Sequence, residues 1–258
     1  MPIDFHDTAN RETYSGRDAD DSWRAAVLAL VDPSGADVVD IGCGGGTYTR
    51  SWSELGAATV TGVDFSEPIL ATAAEAHGSL PGVTFRQGEA AATGLPDGCA
   101  DVVFERALIH HLPDLAAVAA EAARLLRPGG TVLIQDRTPE DVALPGSAQH
   151  QRGWLFELFP RLLEVENGRR ASAATVTAAL TSAGLDDVTT TGLWEVRRRY
   201  ADREDYLAEL AQRTGRSILH ELDDAELGRL VSELRKRLPE GPLAEKDRWT
   251  IWRAVRTV

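Results

Sequence analysis

A chain of 258 residues suits one domain with an elaboration, and a hydrophobic share of 43% is ample for a core. No apolar run reaches the roughly 18 residues of a membrane span, and a net charge of −13 argues against a nucleic-acid backbone as partner. Two cysteines, Cys43 and Cys99, make no disulfide framework, and Met1 to Asp7 lacks the basic-then-apolar pattern of a secretory signal, so a cytoplasmic location is expected.

The first 22 residues form a polar arm in which Tyr14 and Arg17 stand out, and Trp23 to Leu30 reads as a helix leading into the first strand. Val38 to Ile41 is a β-branched run too short for a helix, and it opens into the glycines Gly42, Gly44, Gly45 and Gly46. Thr47 to Leu55 has the length and composition of a helix closed by Gly56, and Val60 to Val63 makes a second strand with Asp64 at its end. In such a β-turn-α-β unit the glycine loop lies at a helix start, where free N–H groups can receive a polar ligand. Asp64 follows Gly42 by 22 residues, about where an acid accepts hydrogen bonds from the hydroxyls of a ribose. A nucleoside-bearing cofactor is therefore expected. The dinucleotide fingerprint GxGxxG fails, because Thr47 stands where its third glycine belongs. What stands here is Asp40-x-Gly42-x-Gly44-x-Gly46, whose acidic lead-in suits a cofactor carrying positive charge.

These residues resemble the first motif of the class I S-adenosylmethionine-dependent methyltransferases. The resemblance implies that Asp40, Gly42, Cys43, Gly44 and Gly46 hold the cofactor, and that Asp64 and Phe65 receive its ribose. Ile69 and Leu70 follow on a helix that Ser66 and Pro68 open, and the resemblance puts one of them on the adenine face. Gly82 to Ala90 is a third strand and its exit, in which Glu89 and Ala90 stand where the family approaches the adenine amino group and ring. The N-terminal arm is either an ordered surface segment or, by the same resemblance, a lid in which Tyr14 and Arg17 fold over the site.

Leu95-Pro96-Asp97-Gly98 is a turn feeding a fourth strand that ends at Glu105-Arg106, followed by His110-His111-Leu112. Carboxyl ends of parallel strands face the ligand crevice, so Glu105 and Arg106 are expected near the methionine half of the cofactor. Leu-Pro-Asp-Gly, a strand, then His-His-Leu resembles the members acting on small molecules, the ubiquinone-biosynthesis group among them. No neighbouring residues complete a metal site around the histidines, so none is expected. His111 is read as a structural residue at a helix start or as a general base, a role to which histidine's acid–base range is suited. Leu115 to Leu126 is an alanine-rich helix, Arg127-Pro128-Gly129-Gly130 stops it, and Thr131 to Asp136 is a fifth strand. The resemblance thus spans roughly residues 36 to 136.

Beyond Asp136 the pattern is no longer generic. An insertion at about 137–170 holds Arg137, His150, Arg152 and Trp154 near the fifth strand tip, and is either a candidate substrate pocket in which the basic residues would bind a carboxylate or, over 149–164, a helix with an apolar core face and solvated arginines. Ser172 to Ala183 is the last core helix and Val188 to Tyr200 a long strand. Asp202 to Leu238 is helical and reads as a cap at about 202–240, and Trp249 to Val255 is a final strand. Together these imply a single α/β domain: a Rossmann-like, doubly wound, seven-stranded sheet, mostly parallel with an antiparallel edge, plus a helical cap. The core would cover about 30–200 and 247–258. The expected activity is methyl transfer from S-adenosyl-L-methionine to an N-, O- or C-nucleophile of a small molecule, with His111 and Tyr14 as candidate catalytic residues. Two alternatives are a non-catalytic binder of that cofactor and an NAD-dependent oxidoreductase. The expected partner is a small-molecule substrate, without nucleic acid or membrane, in a monomer or homodimer.

Overall fold

The computed structural model describes residues 19–214 and 216–257. Tyr14, Arg17 and most of the expected lid lie outside the described residues. Seven strands form one sheet: β1 (Asp37–Ile41), β2 (Thr59–Asp64), β3 (Val83–Gln87), β4 (Ala100–Arg106), β5 (Leu126–Asp136), β6 (Leu185–Tyr200) and β7 (Leu243–Arg256). Their order is β3-β2-β1-β4-β5-β7-β6. β1 to β5 pair in parallel, whereas β7 runs antiparallel to both β5 and β6. The reversed strand therefore lies one place in from the edge, and the tips of β1, β2, β4 and β5 open on the same side.

Alternation along the strands splits the core into two layers. On one face Val38, Val60, Val102, Phe104 and Leu133 pack against α1 (Asp21–Leu28) and α2 (Thr47–Glu54). Trp23, Tyr48, Trp52 and Phe104 meet there with ring centroids 5.0 to 5.9 Å apart, mostly edge to face, a geometry that adds to their area burial. On the other face Val39, Ile41, Val103, Val132 and Ile134 pack against α4 (Leu115–Leu125) and α8 (Ala173–Ser182). Ala119 and Ala122 bring α4 close to the sheet, and the Ser172 side chain caps α8 by accepting from the Thr175 N–H. α3 (Glu67–His77) packs beside β2 and β3.

A third core joins α5 (Pro139–Val142), α6 (Gln151–Leu158) and α7 (Pro160–Asn167) to α9 (Arg203–Ala211) and α10 (Asp224–Arg237) through Leu155, Phe156, Phe159, Tyr206, Leu210, Leu230 and Leu234. It is the cap. Several boundaries differ from expectation. The 149–164 stretch forms two helices, because Pro160 lacks an N–H and starts a new first turn. The 202–238 stretch is likewise α9, a 3₁₀ turn at Ser217–Glu221 and α10. β5 begins at Leu126, before the Pro-Gly-Gly expected to precede it, and β7 begins at Leu243. Both strands are prolonged by pairing partners far away in sequence, Ala100 for Leu126 and Tyr200 for Leu243.

Candidate functional site

The glycine loop is drawn onto the end of β2, since the N–H groups of Gly42 and Cys43 both donate to the Val63 carbonyl, at 2.7 and 3.0 Å. Gly42, Gly44 and Gly46 have φ of 71°, 52° and 77°, a region open to glycine at little cost. At Gly42 a side chain would also meet Leu108, its Cβ falling 2.8 Å from Cδ1. At Gly44 a Cβ would meet nothing within 4 Å, so the loop backbone there is open to a ligand. The Gly44 N–H donates to Asp64 Oδ2 at 2.9 Å and the Ser66 N–H to Oδ1 at 3.0 Å. A carboxylate has about four acceptor positions, so Asp64 keeps capacity for two hydroxyls. Burial raises the Asp64 carboxyl, with those N–H bonds pulling the other way.

Behind the loop Asp40 is buried and accepts from Thr49 Oγ1 at 2.6 Å. Burial pushes its carboxyl up to about 7 against the Thr49 bond, with Asp64 adding to the rise. Burial, Asp40 and Asp64 together push the Cys43 thiol well up, so it stays neutral. Ile69 is buried on α3, Phe65 offers its carbonyl to Gln87, and Ala90 packs on the core. Glu89 is exposed, forming a short bridge with Ala92, and adds its charge to the rise at Asp64. The donor set fits a sulfonium nucleoside: an open backbone, an acid with spare lone pairs, and buried acids with no cation bonded to them among the described residues.

At the tip of β4 two neighbours diverge. Glu105 is fully buried, and neither carboxylate oxygen has a hydrogen-bond partner among the described residues. Burial, with Asp136 adding, pushes it up to about 8. Arg106 turns to the opposite face, where its guanidinium lies between the Tyr48 and Trp249 rings at 4.3 and 4.5 Å and donates to Glu195 at 2.7 Å. Tyr48 and Gln135 also donate to Glu195. The Arg106 charge thus closes on β6.

The histidine pair sits on the 3₁₀ turn Ile109–His111 with ring centroids 4.0 Å apart. His110 is joined to a strand tip: its Nδ1 lies 2.8 Å from Asp136 Oδ2 at the end of β5. Asp136 also accepts from Arg170 at 2.7 Å and from the Arg137 N–H at 2.7 Å, and Arg170 donates to Glu166 at 2.8 Å. Against the upward push of burial, His110, Arg170 and that N–H hold Asp136 well below the usual carboxylate range. Desolvation, then the neighbouring His110, push His111 down to about 4.

The expected substrate group is brought together in part. Arg137 and Arg152 converge on one carboxylate, Asp247 of β7, with Arg152 at 3.1 Å. Burial and the Arg152 charge pull Arg137 down to about 9, and its Nε has no partner among the described residues. His150 is buried, its Nδ1 lies 3.2 Å from the Pro145 carbonyl, and burial lowers its pKa, leaving it neutral. Trp154 packs against Gly146 and, at 5.8 Å, against the Arg237 guanidinium, on the cap core rather than beside the arginines. Asp136, Arg170, Glu195 and Asp247 were not expected at the site. The position of Asp136 at a parallel strand tip was the one signal in the sequence that marked any of them.

Residues 39–134 match the family described as methyltransferase domain. A ubiquinone biosynthesis O-methyltransferase of Methylococcus capsulatus is 41% identical over 109 residues, 41% of this chain and 45% of the relative. A Mycolicibacterium smegmatis protein bearing the name of an S-adenosylmethionine-dependent methyltransferase is 32% identical over 201 residues, 78% of this chain and 66% of its own. The chain spans roughly half the length of the curated relatives it matches first. Among solved structures, phosphoethanolamine N-methyltransferase 2 of Haemonchus contortus in complex with S-adenosyl-L-methionine shares the fold, with a TM-score of 0.61 at 18% identity over 99% of this chain and 60% of that one. Among the described residues no helix is long and apolar enough to cross a membrane.

Proposed function

Because this chain belongs to the class I S-adenosylmethionine-dependent methyltransferases, we propose that it transfers a methyl group from that cofactor to a hydroxyl of a small molecule bearing a carboxylate. The observation that carries the reading is the Asp64 carboxylate, tied to the Gly44 N–H at 2.9 Å beside an open glycine loop. Bound there, the cofactor supplies a methyl group on a positively charged sulfur, so the reaction is an in-line displacement that depends on alignment and exclusion of water. Asp64 would accept the ribose hydroxyls, the Gly44–Gly46 backbone would approach the ligand, and Asp40 would favour its positive charge. Ile69 and Ala90 would line the adenine, with Glu89 at the rim. Oxygen as acceptor is supported by the M. capsulatus relative, an O-methyltransferase.

For the acceptor, Arg137 and Arg152 set two positive charges on the single carboxylate of Asp247. Burial first, and then the Arg152 charge, lower Arg137, and an arriving carboxylate would offset both while forming charge-assisted hydrogen bonds. Calorimetric titration with S-adenosylmethionine, its demethylated product and NAD tests the cofactor. Heat with the sulfur nucleosides and none with NAD is expected, and no heat with either nucleoside ends the proposal. A radiolabelled methyl-transfer screen over phenols, alcohols and amines, each with and without a carboxylate, tests the acceptor. Indifference to the carboxylate would remove the arginine reading.

A further inference from the structure

We propose that the chain pairs with a second copy of itself along the outer edge of β6, antiparallel and about a two-fold axis at Gly192. β6 is the last strand in the sheet order, so one of its sides has no partner strand. Its register with β7 is unbroken from Thr189 to Val196, with a bulge beyond each end. Backbone groups of successive residues point to alternate sides of a strand. The Val196 N–H is turned away from β7, because it donates to the Asp20 side chain at 3.2 Å. By alternation Thr190, Gly192 and Trp194 also turn their N–H and C=O groups outward, while Thr189, Thr191, Leu193 and Glu195 turn theirs to β7.

The side chains leave this edge open to pairing. Thr189, Thr190, Thr191 and Gly192 are all exposed. Strand edges are ordinarily guarded by lysine, proline or another charge, and the run from Thr189 to Trp194 holds none of these. Trp194 shares a face with Thr190 and Gly192 and stands 41% exposed. Charge selects the partner and its direction. Asp186 and Asp187 precede the run, Arg198 and Arg199 follow it, and all four are exposed. A parallel second copy would set acid on acid and arginine on arginine. An antiparallel one brings the acidic end of each copy beside the arginine end of the other. Arg198 already meets Glu209 at 2.6 Å, but with its side chain 56% exposed it can take a second carboxylate. With the axis at Gly192, Thr190 of each copy lies opposite Trp194 of the other, a β-branched and aromatic cross-strand pair that covers the indole. The ladder stops at Trp194, because the next outward donor, Val196, is already held by Asp20. Thr190, Gly192 and Trp194 then exchange about six N–H···O=C bonds with their counterparts. So short a ladder makes a small interface, and the dimer is a weak one that forms and parts with concentration.

The test uses the full chain and reads association alone, so it stands apart from the methyltransferase reading. Sedimentation over rising concentration is expected to give a monomer–dimer equilibrium with a Kd of about 1–100 µM. Thr190→Pro removes one outward donor and no bond to β7, so it should raise that Kd about tenfold or more while circular dichroism stays as in the wild type. Asp186→Lys makes both ends of the edge basic and Arg198→Glu makes both ends acidic, so each variant alone should associate about threefold or more weakly than the wild type. Mixed together, the two set unlike charges at both ends and should form a heterodimer tighter than either homodimer. This mixing experiment decides the pairing even where Thr190→Pro does not fold. A wild-type chain that stays monomeric up to about 500 µM would overturn the proposal, as would a dimer indifferent to Thr190→Pro. A mixture no tighter than its components would overturn the antiparallel pairing about Gly192.

Discussion

The acids at the two ends of the molecule behave oppositely. At the cofactor end Asp40 is pushed up to about 7, Glu105 to about 8, and Asp64 is raised, in each case with burial as the first cause. Between the long β6–β7 hairpin and the cap, burial again pushes Glu245 and Glu166 upward, yet both sit at about 2, and Asp247 lies below the carboxylate range. The difference is the cations. Glu245 receives Arg216 and Arg197, Asp247 receives Arg137 and Arg152, and Glu166 receives Arg169 and Arg170. Among the described residues no cation is bonded to the three acids of the other end. Arg216 and Arg197 closing on Glu245 make a structural fastening, the two arginines on Asp247 are those proposed for the acceptor's carboxylate, and the buried acids without counter-charge stand where the proposal sets a cationic cofactor.

That contrast can be broken at each end. The largest effect is expected in the fastening: Glu245→Gln leaves Arg216 and Arg197 buried without their carboxylate and should cost about 3–5 kcal/mol in urea unfolding at pH 7. Because Glu245 titrates at about 2 in the fold against its ordinary 4.5, its contribution is whole above 4.5 and is lost as pH falls toward 2. The acid limb of the stability curve should therefore flatten in the variant. Glu105→Gln should do the reverse. The wild-type carboxyl, raised to about 8, leaves stability whole below 4.5 and erodes it as pH climbs to 8. The variant should gain on the wild type steadily through that window and no further above it, and a constant difference across pH would show that Glu105 does not titrate with folding.

Next in size, Asp64→Ala removes the acceptor of the ribose hydroxyls and should weaken S-adenosylmethionine roughly 10- to 100-fold by calorimetry, about 1.5–3 kcal/mol. Unchanged affinity would put the ribose elsewhere. The smallest effect is assigned to Asp40→Asn. Wild-type affinity should strengthen as pH rises through 7 and Asp40 ionises, whereas the variant should lose this dependence and bind about 1 kcal/mol more weakly above it. Equal pH profiles for the two would remove Asp40 from the recognition of charge.

The sequence by itself determined the sheet, the glycine loop and the acid at the tip of β2. Those features rest on local rules: a φ that suits glycine at Gly42, Gly44 and Gly46, and the short apolar runs, buried on both faces, that mark β1 and β4. Pro160 carries a local signal as well, a missing N–H that divides α6 from α7, although the apolar residues on both sides of it suggest one helix. Tertiary structure decided which charge meets which. Arg137 finds Asp247 across 110 residues, Arg106 finds Glu195 across 89, and Arg170 finds Asp136 across 34. His110 and His111 are adjacent and chemically identical, and it is the path of the turn past the tip of β5 that sets the His110 ring on the Asp136 carboxylate. Backbone requirements are written within a few residues of where they act, whereas the partner of a buried charge is whichever group the completed fold leaves within about 3 Å.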